Sequence, residues 1–233
     1  GKLFSEILWA GGDADPAALP EQKEGGRLSD MVLGYAWNPL LALAAAAAGY
    51  VLGNFQTAIL ISKRAFHDDV REHGSGNAGT TNMIRVFGMK PGIVTFIGDC
   101  AKAIAGVLLG RLIMGTLGGY IAGLFVIVGH CWPVFAGFRG GKGVASSLGI
   151  AWMTFPLGAA ITTAAAVITF LFSRKISLCS LIGTAVFFVS VLIFRFSDLA
   201  LVLLAAMIVL LVYVRHKENI CRLIHGDEKR IVN

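Results

Sequence analysis

Six stretches nearly free of charge, 39–62, 93–113, 117–138, 144–172, 178–194 and 198–214, constrain this chain more than any motif in it. Asp99, Lys102, Arg111 and Asp198 are the only charged residues they contain. A bilayer core takes about 20 apolar residues per helical crossing, and five of the runs have the length of one crossing. The runs are continuous rather than alternating, which excludes the strands of an outer-membrane barrel. The composition agrees, with 56% hydrophobic and 15% charged residues against roughly 25% charged in a soluble domain. An all-α, polytopic integral membrane bundle is expected.

The fourth run, 144–172, holds Pro156 and Gly158 in its middle and reads either as one long tilted helix or as two short helices in a hairpin. Charge decides. With a hairpin, the loops 63–92, 139–143 and 173–177 and the tail from 215 share one side and carry 14 of the 20 Lys and Arg. With a single crossing the basic loops divide between the two faces, against the positive-inside tendency. The hairpin gives about seven transmembrane helices, the N-terminus outside and the C-terminus cytoplasmic. Residues 1–36 are polar, lack a signal-peptide h-region and read as an appendage in which Ile7-Leu8-Trp9 touches an interface at most. Residues 37–233 form the membrane-embedded domain.

The net charge of +6 reports orientation and suits anionic lipids and substrates, so no nucleic-acid partner is expected. Cys100, Cys131, Cys179 and Cys221 are widely spaced without a C-x-x-C pair, which argues for neither a zinc site nor a disulfide framework. No metal or organic cofactor is called for. Gly49-x-x-x-Gly53, Gly106-x-x-x-Gly110 and Gly119-x-x-x-Gly123 place small residues on single helix faces and predict close backbone packing.

Chemistry concentrates in three polar insertions. Gly74-Ser75-Gly76-Asn77-Ala78-Gly79-Thr80-Thr81-Asn82, preceded by Arg71 and His73 and followed by Arg85, is too polar for a membrane core. Its glycines let backbone N–H groups converge on an anion while Ser, Asn, Thr and Arg complete the shell. A flexible loop is the plain alternative. Arg139-Gly140-Gly141-Lys142-Gly143 feeds the helix opening at Val144, which offers orphan N–H groups, the positive dipole end and the Lys142 charge to a phosphate. It is not a Walker A loop, because Ala136 and Gly143 stand where that motif needs Gly and Ser or Thr. The alternative is a tight turn.

The third insertion, Arg215-His216-Lys217-Glu218-Asn219-Ile220 with Arg222, follows the last helix, and His216 and Asn219 share a face at i, i+3. Asp99 and Lys102 have the same spacing inside the second apolar run, where an ion pair is the first reading and a site contribution the second. His130 reads as a packing histidine or a general base, and Ser177 and Ser180 as helix caps or ligand donors. Three anion-friendly segments far apart in sequence thus fall on one expected face of the membrane. Their substrates should be phosphorylated, and at least one lipidic.

These segments resemble the bacterial membrane acyl-phosphate:glycerol-3-phosphate acyltransferases, the PlsY family. The resemblance rests on Asp69 through Asn82 with Arg85, Gly129-His130 through Phe135, Gly140-Gly141-Lys142-Gly143 and His216 to Asn219, in that order across about 39–230. The pairs Asp99/Lys102 and Ser177/Ser180 also fall where such proteins carry similar patterns. Departures are Ala78 for the common Pro, Thr80 for Ala, and Ala103 for the Gly after the Lys; none removes a charged or donor group.

The resemblance implies transfer of a fatty acyl group from acyl phosphate to the 1-hydroxyl of glycerol 3-phosphate, giving lysophosphatidate and inorganic phosphate in phospholipid biosynthesis. It places the enzyme in the bacterial cytoplasmic (inner) membrane with the active site at the cytoplasmic face. A mixed anhydride is already activated, so alignment and charge stabilisation suffice without a nucleophilic Ser or Cys. The residues so implied as catalytic are Lys142, Arg85, Ser75, His216 and Asn219. Those implied to bind substrate or phosphate are Gly74, Gly76, Asn77, Gly79, Thr81, Asn82, Gly140, Gly141, Gly143, Ser177 and Ser180. The departing phosphate, His216 or His130 would take the hydroxyl proton. Acyl phosphate, glycerol 3-phosphate and the bilayer are the expected partners, with a soluble acyl-phosphate-producing enzyme as a further candidate.

Two other classes fit the sequence less well. A phosphate or glycerophosphate transporter would place its anion site near the bilayer midplane between inverted repeats, and no repeat is visible. A soluble or monotopic acyl-CoA-dependent acyltransferase uses His-x-x-x-x-Asp, and none of His67, His73, His130, His216 and His225 has Asp five positions on.

Overall fold

The computed structural model describes residues 31–32 and 35–231; the polar arm, with its Ile7-Leu8-Trp9 patch, lies outside the described residues. The chain divides into two units, Gly1–Trp37 and Asn38–Asn233. In the first, β1 (Met31–Val32) and β2 (Tyr35–Ala36) pair antiparallel with Met31 opposite Ala36. The described part of the second is helical: α1 Pro39–Asn54, α2 Thr57–Phe66, α3 Thr80–Phe87, α4 Met89–Cys131, α5 Val144–Thr154, α6 Pro156–Ser173, α7 Ile176–Phe194, α8 Leu199–Arg215 and α9 Lys217–His225. Single 3-10 turns lie at Val70–Glu72 and Val134–Ala136.

By length and composition four helices among the described residues can cross a membrane: Pro39–Phe66, Met89–Ala136, Pro156–Ser173 and Ile176–Phe194. A fifth arises if α8 and α9 count as one span across their 66° bend. The longest is not one rod. Met114 and Gly115 leave helical φ/ψ, and beyond them α4 folds back, so that Gly110 packs on the Gly118 backbone and Gly119 on Val107 and Arg111. The absent Cβ atoms permit that approach, the role small residues play where helices have no hydrophobic drive to associate. Gly49 and Gly53 of α1 sit in the same way on Ala122, Val126 and Gly129 of the returning arm.

The 144–172 run also reverses. Phe155 leaves the helical region between α5 and α6, and its ring lies 6.4 Å from that of Phe194 at the far end of α7. The starts of α5 and α7, Val144 and Ile176, line one cavity at the other end. Helix α5 therefore runs away from that cavity and α6 returns to it.

Two runs differ from the expected helices. Run 39–62 breaks at Phe55 and Gln56, both extended. The carbonyls loosened there are satisfied: Gln56 Nε2 donates to Gly53 O at 3.1 Å and His130 O at 3.2 Å, and Lys102 Nζ to Phe55 O at 2.7 Å. An apolar surrounding tolerates broken helix only when such groups find partners. Run 117–138 ends as helix at Cys131, because Pro133 lacks an N–H and disfavours helical φ/ψ at Trp132.

Candidate active site

The three polar insertions meet. A cavity of about 830 Å³ is lined by the Gly74–Asn82 loop apart from Ala78, Arg85, the Arg139–Gly143 loop apart from Gly141, the start of α7 and the α8–α9 corner.

The first loop is built around one amide. Asn82 Nδ2 donates to Val70 O at 2.9 Å and His73 O at 3.0 Å, while its Oδ1 accepts the Ser75 N–H at 2.9 Å. Gly74 has φ +61, and a Cβ there would overlap Asn82 Oδ1. The expected nest of free amides is thus partly closed, since the N–H groups of Ser75, Gly76 and Gly79 already have acceptors within the loop. What the loop presents instead is a helix N-terminus: Gly79 caps α3, and Thr80, Thr81 and Asn82, the first turn of that helix, line the cavity. Their N–H groups are orphans by geometry. The Asn82 side chain serves the loop and is not available to a ligand. Thr80, not among the expected site residues, contributes a buried hydroxyl with no partner among the described residues.

The second loop is held from outside. Arg215 Nε donates to Gly141 O at 3.0 Å and Nη2 to Gly140 O at 3.1 Å, while the guanidinium carbon lies 5.5 Å from the centre of the Trp132 ring. Gly141 does not line the cavity; it rests on the His130 ring, where a Cβ would overlap Nε2. The loop then opens α5 from Gly143, so Val144 and Ala145 add a second orphan N-terminus to the wall.

Lys142 donates to Asn219 Oδ1. Asn219 Nδ2 donates to Glu228 Oε1 at 2.6 Å, and Arg222 Nε to Glu228 Oε2 at 2.8 Å. Burial, then the neighbouring Arg222, pushes the Lys142 ammonium down to about 8. Burial, then Lys142, pushes His216 down to about 4, so its ring is neutral at pH 7. The Nδ1 of His216 lies 2.8 Å from Val212 O, which only accepts, and Nε2 is left as the lone-pair nitrogen. Burial opposes ionisation of Glu228, yet its hydrogen bonds from Arg222 and Asn219 hold its pKa below the ordinary value.

Ser177 and Ser180 line the cavity but do not cap α7, whose cap is Lys175; Ser180 donates to Ile176 O at 2.9 Å. Arg85 is exposed at the wall and has no side-chain partner among the described residues. Ser75, Gly76, Asn77, Gly79, Thr81, Gly140 and Gly143 all reach the cavity. Sequence reasoning missed the Arg222–Glu228 pair and the clamp by Arg215. Such residues read as ordinary positive-inside charge, and only the fold shows which carbonyls they hold. Asp99 and Lys102 form the expected ion pair at 2.8 Å, with Asp99 and His130 at the cavity wall.

A helical membrane bundle that turns two helix N-termini, two glycine-rich loops and several cations onto one cavity defines a membrane protein with a cation-lined polar cavity at one end. The chain belongs to the glycerol-3-phosphate acyltransferase family, whose sequence model matches residues 43–226. It is 36% identical to the glycerol-3-phosphate acyltransferase of Alkaliphilus metalliredigens over 79% of this chain and 93% of the relative. That of Hydrogenovibrio crunogenus is also 36% identical, over 82% and 92%. The crystal structure of PlsY, an integral membrane glycerol 3-phosphate acyltransferase, in its glycerol 3-phosphate form is similar with a TM-score of 0.77 at 34% identity, covering 81% of this chain and 94% of that one. Its lysophosphatidic acid form gives 0.74 at 33%.

Proposed function

We propose that this protein transfers a fatty acyl group from an acyl phosphate to the 1-hydroxyl of glycerol 3-phosphate, releasing inorganic phosphate and lysophosphatidate for phospholipid synthesis. The observation that carries the reading is the convergence of the starts of α3 and α5 with Lys142 on one cavity. Two phosphorylated substrates need two such positive foci. Lys142 and the Gly140–Gly143 backbone take the phosphoryl group of the donor, with Ser75 and Asn77 beside them. Arg85 neutralises substrate phosphate, and His216 and Asn219 complete the polar wall.

The glycerol hydroxyl oxygen attacks the acyl carbonyl carbon, the bond from that carbon to the bridging oxygen breaks, and phosphate departs with the electron pair. The hydroxyl proton goes to the departing phosphate or to His216 Nε2. The cations and orphan N–H groups stabilise the charge that develops on the carbonyl and phosphate oxygens.

The reading carries a topology: seven crossings in a bacterial inner membrane, the N-terminus outside and the cavity at the cytoplasmic face. Helix α5 has 11 residues, about 16 Å of rise, so the loop that opens it lies recessed within the depth of the bilayer. A soluble enzyme that makes acyl phosphate would supply the donor.

Purified protein in lipid mesophase, given palmitoyl phosphate with and without glycerol 3-phosphate, tests the reading by mass spectrometry. Lysophosphatidate and phosphate formed only with the acceptor are expected. Folded protein that forms neither, while labelled glycerol 3-phosphate crosses a vesicle membrane, would establish transport instead.

A further inference from the structure

Beneath the two loops lies a charged cluster to which the proposed reaction assigns no step, although Asp99 and His130 reach the cavity wall. Asp99, Lys102 and His130 are 2%, 8% and 3% exposed. Lys102 Nζ lies 2.8 Å from Asp99 Oδ1, 2.7 Å from Phe55 O and 2.8 Å from His130 Nδ1. An ammonium has three N–H groups, and here each has an acceptor. Asp99 Oδ1 also accepts from Thr57 Oγ1 at 3.1 Å.

The geometry has a directional consequence for His130. Lysine only donates, so the Nδ1 facing it holds the lone pair and the ring proton sits on Nε2. A flipped ring would face the ammonium with a carbon. The Nε2 edge is turned to the point where the loops touch: a Cβ on Gly141 would overlap Nε2 and lie 2.8 Å from the carbonyl oxygen of Ala78. The backbone of His130 joins in, because its carbonyl accepts the Gly141 N–H at 3.0 Å and Gln56 Nε2 at 3.2 Å.

We propose that Asp99 and Lys102 are positioning residues that fix the tautomer and orientation of His130, and that His130 in turn sets the two anion-binding loops in register. An i, i+3 ion pair that also satisfies the Phe55 carbonyl at the helix break would not need a histidine 28 positions on. Such a pair is also a poor stabiliser, since well-packed apolar residues of similar volume often serve as well or better. This inference rests on the acyltransferase reading for its kinetic readout, not for its spectroscopic one.

The double variant D99N/K102M removes both charges together and avoids a stranded buried ion. Wild-type protein labelled with 15N-histidine, with the His130 signals assigned by their loss in H130Q, should show the Nε2–H tautomer at neutral pH. The double variant should populate the other tautomer, and KM for both palmitoyl phosphate and glycerol 3-phosphate should rise. The expected fall in kcat/KM is roughly 10- to 100-fold, the scale of an ångström of misplacement. A structural pair predicts a lower melting temperature with unchanged KM values, which would overturn the proposal, as would an Nδ1–H tautomer in the wild type. If the double variant does not fold, H130Q and H130L, which leave the ion pair intact, carry the test. H130Q, with an N–H near the position of Nε2, should keep more activity than H130L; equal activity overturns the proposal. If the wild type transfers no acyl group, the acyltransferase reading falls. The same variants are then compared by inorganic phosphate binding, where affinities equal to the wild type overturn the positioning role.

Discussion

The Gly74–Asn82 loop is held by contacts close in sequence, with one asparagine amide gathering Val70, His73 and Ser75 within 12 positions of itself. The Gly140–Gly143 loop is held by Arg215, 74 and 75 positions away, and by His130 beneath it. The first carries its exposed cation, Arg85, on the helix that follows it, whereas the second carries a half-buried Lys142 tied to Asn219 of α9. A locally closed loop can be set before the bundle forms. The other acquires its shape only when α4 and α8 have come together, which makes it the sensitive half of the site.

The largest effect expected from this difference follows K142A. Removing a donor aimed at developing charge costs about 10²- to 10³-fold, so kcat/KM should fall by that much with the melting temperature unchanged; near-normal turnover would remove Lys142 from the mechanism. G141A comes next. Its Cβ would overlap the His130 ring, and overpacking of this kind costs about 1–3 kcal/mol, so transfer and thermal stability should fall together. Gly76 has φ +69 and only Arg71 O, 3.4 Å from a Cβ placed there. G76A should therefore be milder in both readouts, and equal damage would erase the distinction between the loops.

R215K is expected to fall in the range of G141A. The guanidinium reaches two carbonyls with one planar fork, which an ammonium does not reproduce. Losing one charge-assisted hydrogen bond, worth about 1.5–3 kcal/mol, should lower kcat/KM about 10-fold or more, mainly through KM. The gentlest probe is pH. Lys142 lies near 8 because of its burial and then Arg222, so kcat/KM should decline as pH rises through about 8 and the lysine loses its proton. Stability should move the other way. Between about 8 and the ordinary lysine value the unfolded chain holds a proton the folded one has released, and this group's contribution to stability rises with pH. A rate profile flat to about pH 10 would show that the ammonium is not titrating in the site.

The sequence shows which segments line the cavity because polar, glycine-rich segments cannot be hidden among apolar runs. Lys142, His216 and Asn219 were legible for that reason, and hydropathy marked most of the helices. The helix break at Phe55–Gln56 was not, because the groups that satisfy it, Lys102 and the His130 carbonyl, come from α4. Helix α3 reads as loop in the sequence, since eight residues between two glycines give too short a pattern to separate from a turn. In sequence Asn82 reads as a ligand group; that its amide closes the loop depends on a fold-back visible only in three dimensions. Glu228, and its pairing with Arg222, is not legible for the same reason.

The central claim is that the site recognises its acyl donor through a phosphoryl group. The most direct measurement mixes equal concentrations of palmitoyl phosphate and palmitoyl-CoA, their acyl chains carrying different isotopes, with glycerol 3-phosphate and the purified protein, and reads the label in the lysophosphatidate. The account predicts product labelled from the phosphate donor alone, with one inorganic phosphate released per lysophosphatidate. Label from the thioester, or equal label from both, would contradict it.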